Sequence, residues 1–176
     1  MAAPGRRARA SATEAGRPPA VGGRAGAAKS ERPLTFVVDA SALVDAVLGR
    51  EVAVWSRLLA RLERTADNLA GPELLWSESY SVLHELALRR QLEPDEVVEA
   101  RKLIADAPIA VRRPRGLRER AWAIADRMGW AKTYDAEYCA LAELLRCEFV
   151  TTDRRLRAAG QRLGYVFTVA EIAARG

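Results

Sequence analysis

The sequence predicts an α/β fold of three layers, in which helices cover both faces of a central parallel sheet of about five strands. Three observations predict it. Short apolar runs rich in Val, Phe and Ile alternate with longer stretches of helical periodicity, the order that gives parallel pairing. The runs are nearly continuous in apolar residues, as strands buried on both faces are. Two of them, Phe36-Val37-Val38 and Phe149-Val150-Thr151, run up to an aspartate, at the place where a strand hands over to its crossover.

Residues 1–33 carry seven Arg or Lys against two Glu, which is the whole of the formal net charge of +5. They are rich in Ala, Gly, Arg and Pro and show no periodicity, so disorder is expected there, and the ordered domain is expected to span 34–176. An over-called start codon would give the same appearance. The first strand is expected at 34–38, ending at Asp39, with a helix over 40–48 stopped by Gly49 and a second over 52–66. A brief strand at 69–70 leads to Gly71-Pro72, and Pro72 suits the first turn of a helix running to about Arg90. Pro94 opens another, to about Ala105, before a short strand at 109–111. Residues 117–128 form a helix stopped near Gly129, and Thr133 caps one running to about Arg146. The strand 148–151 stops before Asp153, a short helix ends near Gly160, and the last strand is expected over 165–169.

Several function classes are excluded or disfavoured. No apolar run reaches the roughly 18 residues of a membrane span, and the basic N-terminus lacks the apolar core of a secretory signal, so cytoplasmic residence is expected. Cys139 and Cys147 would lie about two turns apart on a helix, too far to bridge, and read as reduced thiols. One histidine, His84, and no Cys/His cluster leave no zinc site. His84 points away from the apolar stripe of its helix and reads as a surface residue.

The acids carry the chemistry. In open parallel sheets, ligands bind beyond the carboxyl ends of the strands, where Asp39 and Asp153 stand. Each is also a natural helix N-cap, and Asp135 lies in a first helical turn that favours negative charge, so each has a structural as well as a catalytic reading. Glu78 is different. The apolar stripe of its helix runs through Leu75, Val82, Leu83 and Leu86, and Glu78 falls on its shoulder. A half-buried carboxylate needs a partner, and a cation would serve. Acids gathered at one sheet edge raise one another's pKa, and a divalent ion reverses that. All candidate ligands are oxygens, which favours Mg²⁺ or Mn²⁺ and phosphate chemistry.

Four segments resemble the PIN-domain ribonucleases, especially the VapC-type toxins of bacterial toxin–antitoxin pairs. They are Val37-Val38-Asp39-Ala40-Ser41-Ala42-Leu43-Val44, Pro72-Glu73-Leu74-Leu75-Trp76-Ser77-Glu78, Thr133-Tyr134-Asp135-Ala136-Glu137-Tyr138-Cys139-Ala140-Leu141-Ala142 and Phe149-Val150-Thr151-Thr152-Asp153-Arg154-Arg155-Leu156. Their order and spacing agree with the family across about 34–170. The resemblance implies a PIN-like fold and a metal-dependent endoribonuclease whose Asp39, Glu78, Asp135 and Asp153 hold one or two Mg²⁺ or Mn²⁺ ions. Asp39 and Asp135 would be direct ligands, Glu78 would ligate directly or through water, and Asp153 through water or by positioning the nucleophile. Ser41 and Thr151 would support them by hydrogen bonds. The resemblance also implies products with a 3′-hydroxyl and a 5′-phosphate, a homodimer, and a VapB-like antitoxin whose tail occupies the acidic groove. Many family members carry Asn one turn after the Glu, where this chain has Ser81.

Arg112 and Arg113 begin one basic run, with Arg115, Arg118 and Arg120, and Arg154, Arg155 and Arg157 form another beside Asp153. They are candidates for RNA phosphate contacts, against the reading of a solvated charged face. Trp76, Tyr80, Trp122 and Trp130 suit core or dimer packing more than base stacking. A housekeeping PIN nuclease, or a non-catalytic PIN-like module that binds RNA or protein, are the alternatives to a toxin.

Overall fold

The computed structural model describes residues 35–50, 52–65 and 68–175. The disorder expected for 1–33 and the strand position Leu34 lie outside these residues. Strand β1 (Thr35–Val38) passes through Asp39 into helix α1 (Ala40–Val47), and α2 (Val52–Thr65) precedes β2 (Asn68–Gly71). Helices α3 (Leu74–Leu88) and α4 (Pro94–Ala105) lead to β3 (Ile109–Val111), and α5 (Leu117–Met128) and α6 (Tyr134–Leu145) lead to β4 (Glu148–Thr151). Then come α7 (Arg154–Gly160), a 3₁₀ turn at Gln161–Leu163, β5 (Val166–Thr168) and α8 (Val169–Ala173).

Local signals explain most boundaries. Pro94 stands in the first turn of α4, and the Glu96 side chain accepts the Glu93 backbone N–H at 2.7 Å. Gly129 ends α5 at φ 70°, the left-handed conformation that only glycine adopts without strain. Three expectations need correction. Thr133 holds the N-cap position of α6, but its side chain makes no capping hydrogen bond. Pro72 precedes α3 rather than lying within its first turn, because Pro72 and Glu73 form the tight turn that delivers Leu75 N–H to the Pro72 carbonyl at 3.1 Å. The last strand stops at Thr168, and Val169 opens a helix. The Thr168 hydroxyl accepts the Glu171 N–H while the Glu171 carboxylate accepts the Thr168 N–H, a reciprocal cap that turns the chain out of the sheet.

All strand pairs are parallel, in the order β3-β2-β1-β4-β5. Side chains alternate across β1. Val37 joins Phe149, Tyr138, Leu141 and residues of α1, α3, α4 and α5 in the larger core, whereas Phe36 and Val38 join Val150, Trp55, Leu58, Val169 and Ile172 in a second. The sheet is thus buried on both faces, as its apolar runs required.

The strand order places the candidate site. The chain runs outward from β1 through β2 to β3, then returns across the sheet to lay β4 on the other side of β1. The connections leaving β1 and β4 therefore diverge, and it is beyond the carboxyl ends of such strands that open parallel sheets bind ligands. Asp39 and Asp153 follow those two strands. Among the described residues no helix is long and apolar enough to cross a membrane.

Candidate active site

Asp39 is buried, and both of its carboxylate oxygens accept hydrogen bonds. Oδ1 accepts the Ala42 N–H and the Ser41 hydroxyl, both at 2.8 Å, and Oδ2 accepts the Thr151 hydroxyl at 2.5 Å. Burial pushes its pKa up to about 6, opposed by those hydrogen bonds and reinforced by the charge of Asp135. The structural and chemical readings of this residue use different oxygens. Oδ1 caps α1, while Oδ2 has a lone pair to spare.

Asp153 repeats the arrangement. Its Oδ1 accepts the N–H groups of Arg155 at 2.7 Å and Leu156 at 3.2 Å, capping α7, and its Oδ2 lies 3.8 Å from the Arg155 guanidinium. The loops after β1 and β4 are tied by hydroxyls. Thr151 donates to Asp39 and accepts the Asp153 N–H at 3.0 Å, and Thr152 donates its hydroxyl to Ser41 at 3.1 Å. Ser41 and Thr151 thus both touch Asp39, and Thr152 is a further member of this network that sequence reasoning missed, although its place between Thr151 and Asp153 was a signal.

Glu78 projects from α3, half-buried, and meets a hydroxyl from α6. Its Oε2 accepts the Tyr138 phenol at 2.6 Å. Burial raises the pKa of Glu78, Tyr138 lowers it, and the charges of Asp135 and Glu137 raise it again. Tyr138 is 1% exposed, and its ring stacks on Phe149 with centroids 5.7 Å apart. The sequence offered it only as a member of the family-like segment 133–142.

Asp135 is reached by solvent, yet the surrounding protein desolvates its carboxyl enough to raise its pKa, with Asp153 adding to the rise and Arg155 opposing it. Asp135 is thus the centre of the group. Its charge is felt by Asp39 and by Glu78, and it feels Asp153 in turn. Asp135 thus interacts with three acids drawn from three other segments of the chain.

Among the described residues, no three carboxylate, imidazole or thiol side chains are gathered tightly enough, as they stand, to cage a cation. The donor chemistry nonetheless fits a hard dication. Besides the free lone pair of Asp39 Oδ2, neither Glu78 Oε1 nor either oxygen of Asp135 accepts a hydrogen bond among the described residues. Burial first, and the charges of neighbouring acids second, raise the pKa values of Asp39, Glu78 and Asp135, and a dication would oppose both effects.

The arginines separate clearly. Arg157 is held by Glu171 through two hydrogen bonds of 2.7 Å and lies 5.4 Å over the Phe167 ring, so its guanidinium serves the fold. Arg113 pairs with Glu73 at 2.6 Å, and the Arg112 N–H extends the β2–β3 ladder to Gly71 O at 3.0 Å. Arg154 and Arg155 are exposed, and the Arg155 side chain is 96% exposed beside both Asp135 and Asp153. Of the aromatics, Trp76 and Trp130 pack against the core, whereas Trp122 and Tyr80 stay exposed. His84 is exposed, as expected, and Ser81 turns its hydroxyl back to the Ser77 carbonyl at 2.8 Å.

Comparison with known proteins agrees with this architecture. The family model described as the PIN domain matches residues 36–161. The "VapC ribonuclease Mb0985" of Mycobacterium bovis is 38% identical over 131 residues, which is 72% of this chain and 91% of that protein. The "Ribonuclease VapC9" of Mycobacterium tuberculosis matches with the same identity and the same coverage: 38% over 131 residues. Among solved structures, that of PAE2754 from Pyrobaculum aerophilum superposes with a TM-score of 0.59 at 25% identity, covering 82% of this chain and 97% of its own.

Proposed function

The chain belongs to the PIN-domain family, and on that premise we propose that it is a metal-dependent endoribonuclease of the VapC toxin type, with Asp39, Glu78, Asp135 and Asp153 as its catalytic acids. The observation that carries the proposal is the Thr151 hydroxyl, which bonds the Asp39 carboxylate and the Asp153 N–H at once and so brings the two strand-end acids together where the sheet order reverses, with the charge of Asp135 acting on Asp39 and Glu78. Relatives matched over 91% of their own length are named VapC ribonucleases, which supports RNA as the substrate.

In this reading Asp39 and Asp135 hold Mg²⁺ or Mn²⁺ directly, Glu78 holds it directly or through water, and Asp153 ligates through water or positions the attacking water. The ion would polarise a phosphoryl oxygen and offset the negative charge that develops on it. The protein does the rest. Ser41 and Thr151 lock the Asp39 carboxylate in one orientation. Arg155, exposed beside the acids, screens the negatively charged strand that must approach an acidic crevice. Hydrolysis then leaves a 3′-hydroxyl and a 5′-phosphate. The same reading gives the chain a VapB-like antitoxin as its inhibitor, a second copy as its partner in a homodimer, and residence in the cytoplasm.

The test is cleavage of RNA by the full chain with Mg²⁺, with and without chelator, alongside Asp135→Asn. Cleavage that yields 5′-phosphate ends and vanishes both with chelator and in the variant is the expected result. Undiminished cleavage in Asp39→Asn/Asp135→Asn protein overturns the assignment. Co-expression with a candidate antitoxin separates toxin from housekeeping nuclease, since only the toxin needs it for growth.

A further inference from the structure

We propose that Tyr138 is a positioning residue for the cation site, its hydroxyl holding Glu78 so that Oε1 faces the other acids. The inference rests on the metal-site reading above and adds to it a side chain on α6 that orients a ligand on α3.

The geometry carries it. Tyr138 lies three residues after Asp135, one turn along the same helix and on the same side. Its ring cannot drift, because it is buried and stacked on Phe149 at an interplanar angle of 11°. A buried phenol needs a hydrogen-bond partner, and here the partner is a carboxylate 60 residues away in sequence, at 2.6 Å. Among the described residues it is the one hydrogen-bond donor to Glu78. Without it, a flexible Glu side chain would have to be ordered by the ion itself. Partners that orient metal ligands in this way typically change metal affinity by about 10- to 100-fold when removed.

The alternative is a phenol that only satisfies itself in the core. A matched control exists, because Tyr165 donates to Glu143 Oε2 at 3.2 Å, also on α6 but outside the acid group. Mn²⁺ binding is measured by titration calorimetry on the full chain for wild type, Tyr138→Phe, Tyr165→Phe, Glu78→Gln and the Glu78→Gln/Tyr138→Phe pair. Tyr138→Phe, which keeps the ring and its stacking, is expected to weaken Mn²⁺ binding at least about 10-fold. It should also raise the Mg²⁺ concentration needed for half-maximal cleavage. Tyr165→Phe should change neither, and Tyr138→Phe should add nothing once Glu78 is Gln, which a purely structural role would not produce. Wild-type affinity in Tyr138→Phe, or an equal loss in both backgrounds, overturns the proposal. Asp39→Asn distinguishes the two levels of failure. If it binds Mn²⁺ as wild type does, the metal-site reading falls. If it loses Mn²⁺ while Tyr138→Phe keeps it, only the role of Tyr138 falls.

Discussion

Replacing Asp39 by Asn should stabilise the metal-free protein while abolishing its activity. Asp39 is 5% exposed, and its carboxyl is pushed from 3.8 up to about 6 chiefly by burial. At about 1.36 kcal/mol for each tenfold change in proton affinity, the ionised side chain costs the fold about 3 kcal/mol at pH 7.5. The sign follows from proton binding. Between 3.8 and about 6 the folded state holds more protons than the unfolded chain, so stability falls as pH rises through that window. The cost is complete above it and shrinks to about 1 kcal/mol at pH 4.5. Asn escapes this cost. Its carbonyl can still accept from Ala42 N–H and Ser41, but its amide faces the Thr151 hydroxyl, and losing that bond costs about 1 kcal/mol. The net gain is about 2 kcal/mol at pH 7.5, or about 4–8 °C in Tm for a domain of this size. Urea and thermal melts followed by circular dichroism in EDTA, at pH 7.5 and pH 4.5, measure it. The gap between variant and wild type should narrow at the lower pH, and Mg²⁺ should raise the stability of wild type alone. A variant less stable than wild type at both pH values would refute the reasoning, because the cost of burying the charge could not then outweigh the hydrogen bonds at this position.

The remaining predictions concern other links. Arg155→Ala should raise KM for RNA and lower the salt dependence of binding by about one counterion, measured by fluorescence anisotropy across a salt series, whereas Arg157→Ala should leave the salt slope unchanged and lower stability. Gly160→Ala would place a methyl 2.8 Å from Cβ of Val166; because that atom belongs to a strand of the sheet, the clash outweighs the helical advantage of Ala, and a loss of about 1–3 kcal/mol is expected in urea denaturation. Glu171 is held down to about 2 by Arg157 and the Thr168 N–H, so it adds stability above pH 4.5 that disappears as pH falls towards 2. Because its side chain is 41% exposed the contribution is below about 1 kcal/mol, and Glu171→Gln should flatten the acid limb of the stability profile by that amount.

Much of this protein was legible in the chain because the signals are local. Apolar runs marked β1, β3 and β4, and Gly129 marked the end of α5. Asp39 and Asp153 announced themselves by following strands directly. These signals depend on near neighbours, and tertiary packing did not override them. The reciprocal cap of Thr168 and Glu171 was equally local, and missing it extended the last strand into what is α8. Other features have no local cause. That β4 lies beside β1, and so brings Asp153 and Thr151 to Asp39 across 112 residues of sequence, follows from strand order and register. That Tyr138 meets Glu78, and that Arg157 is claimed by Glu171 while Arg155 stays exposed beside the acids, follows from how helices pack on the sheet. By itself, then, the sequence determined most of the elements and their order and singled out the acids as candidates, because propensity and periodicity act over a few residues. Which side chains share a field was decided only when long-range packing closed the chain on itself, because Coulomb and hydrogen-bond energies depend on distance in space and not on distance along the chain.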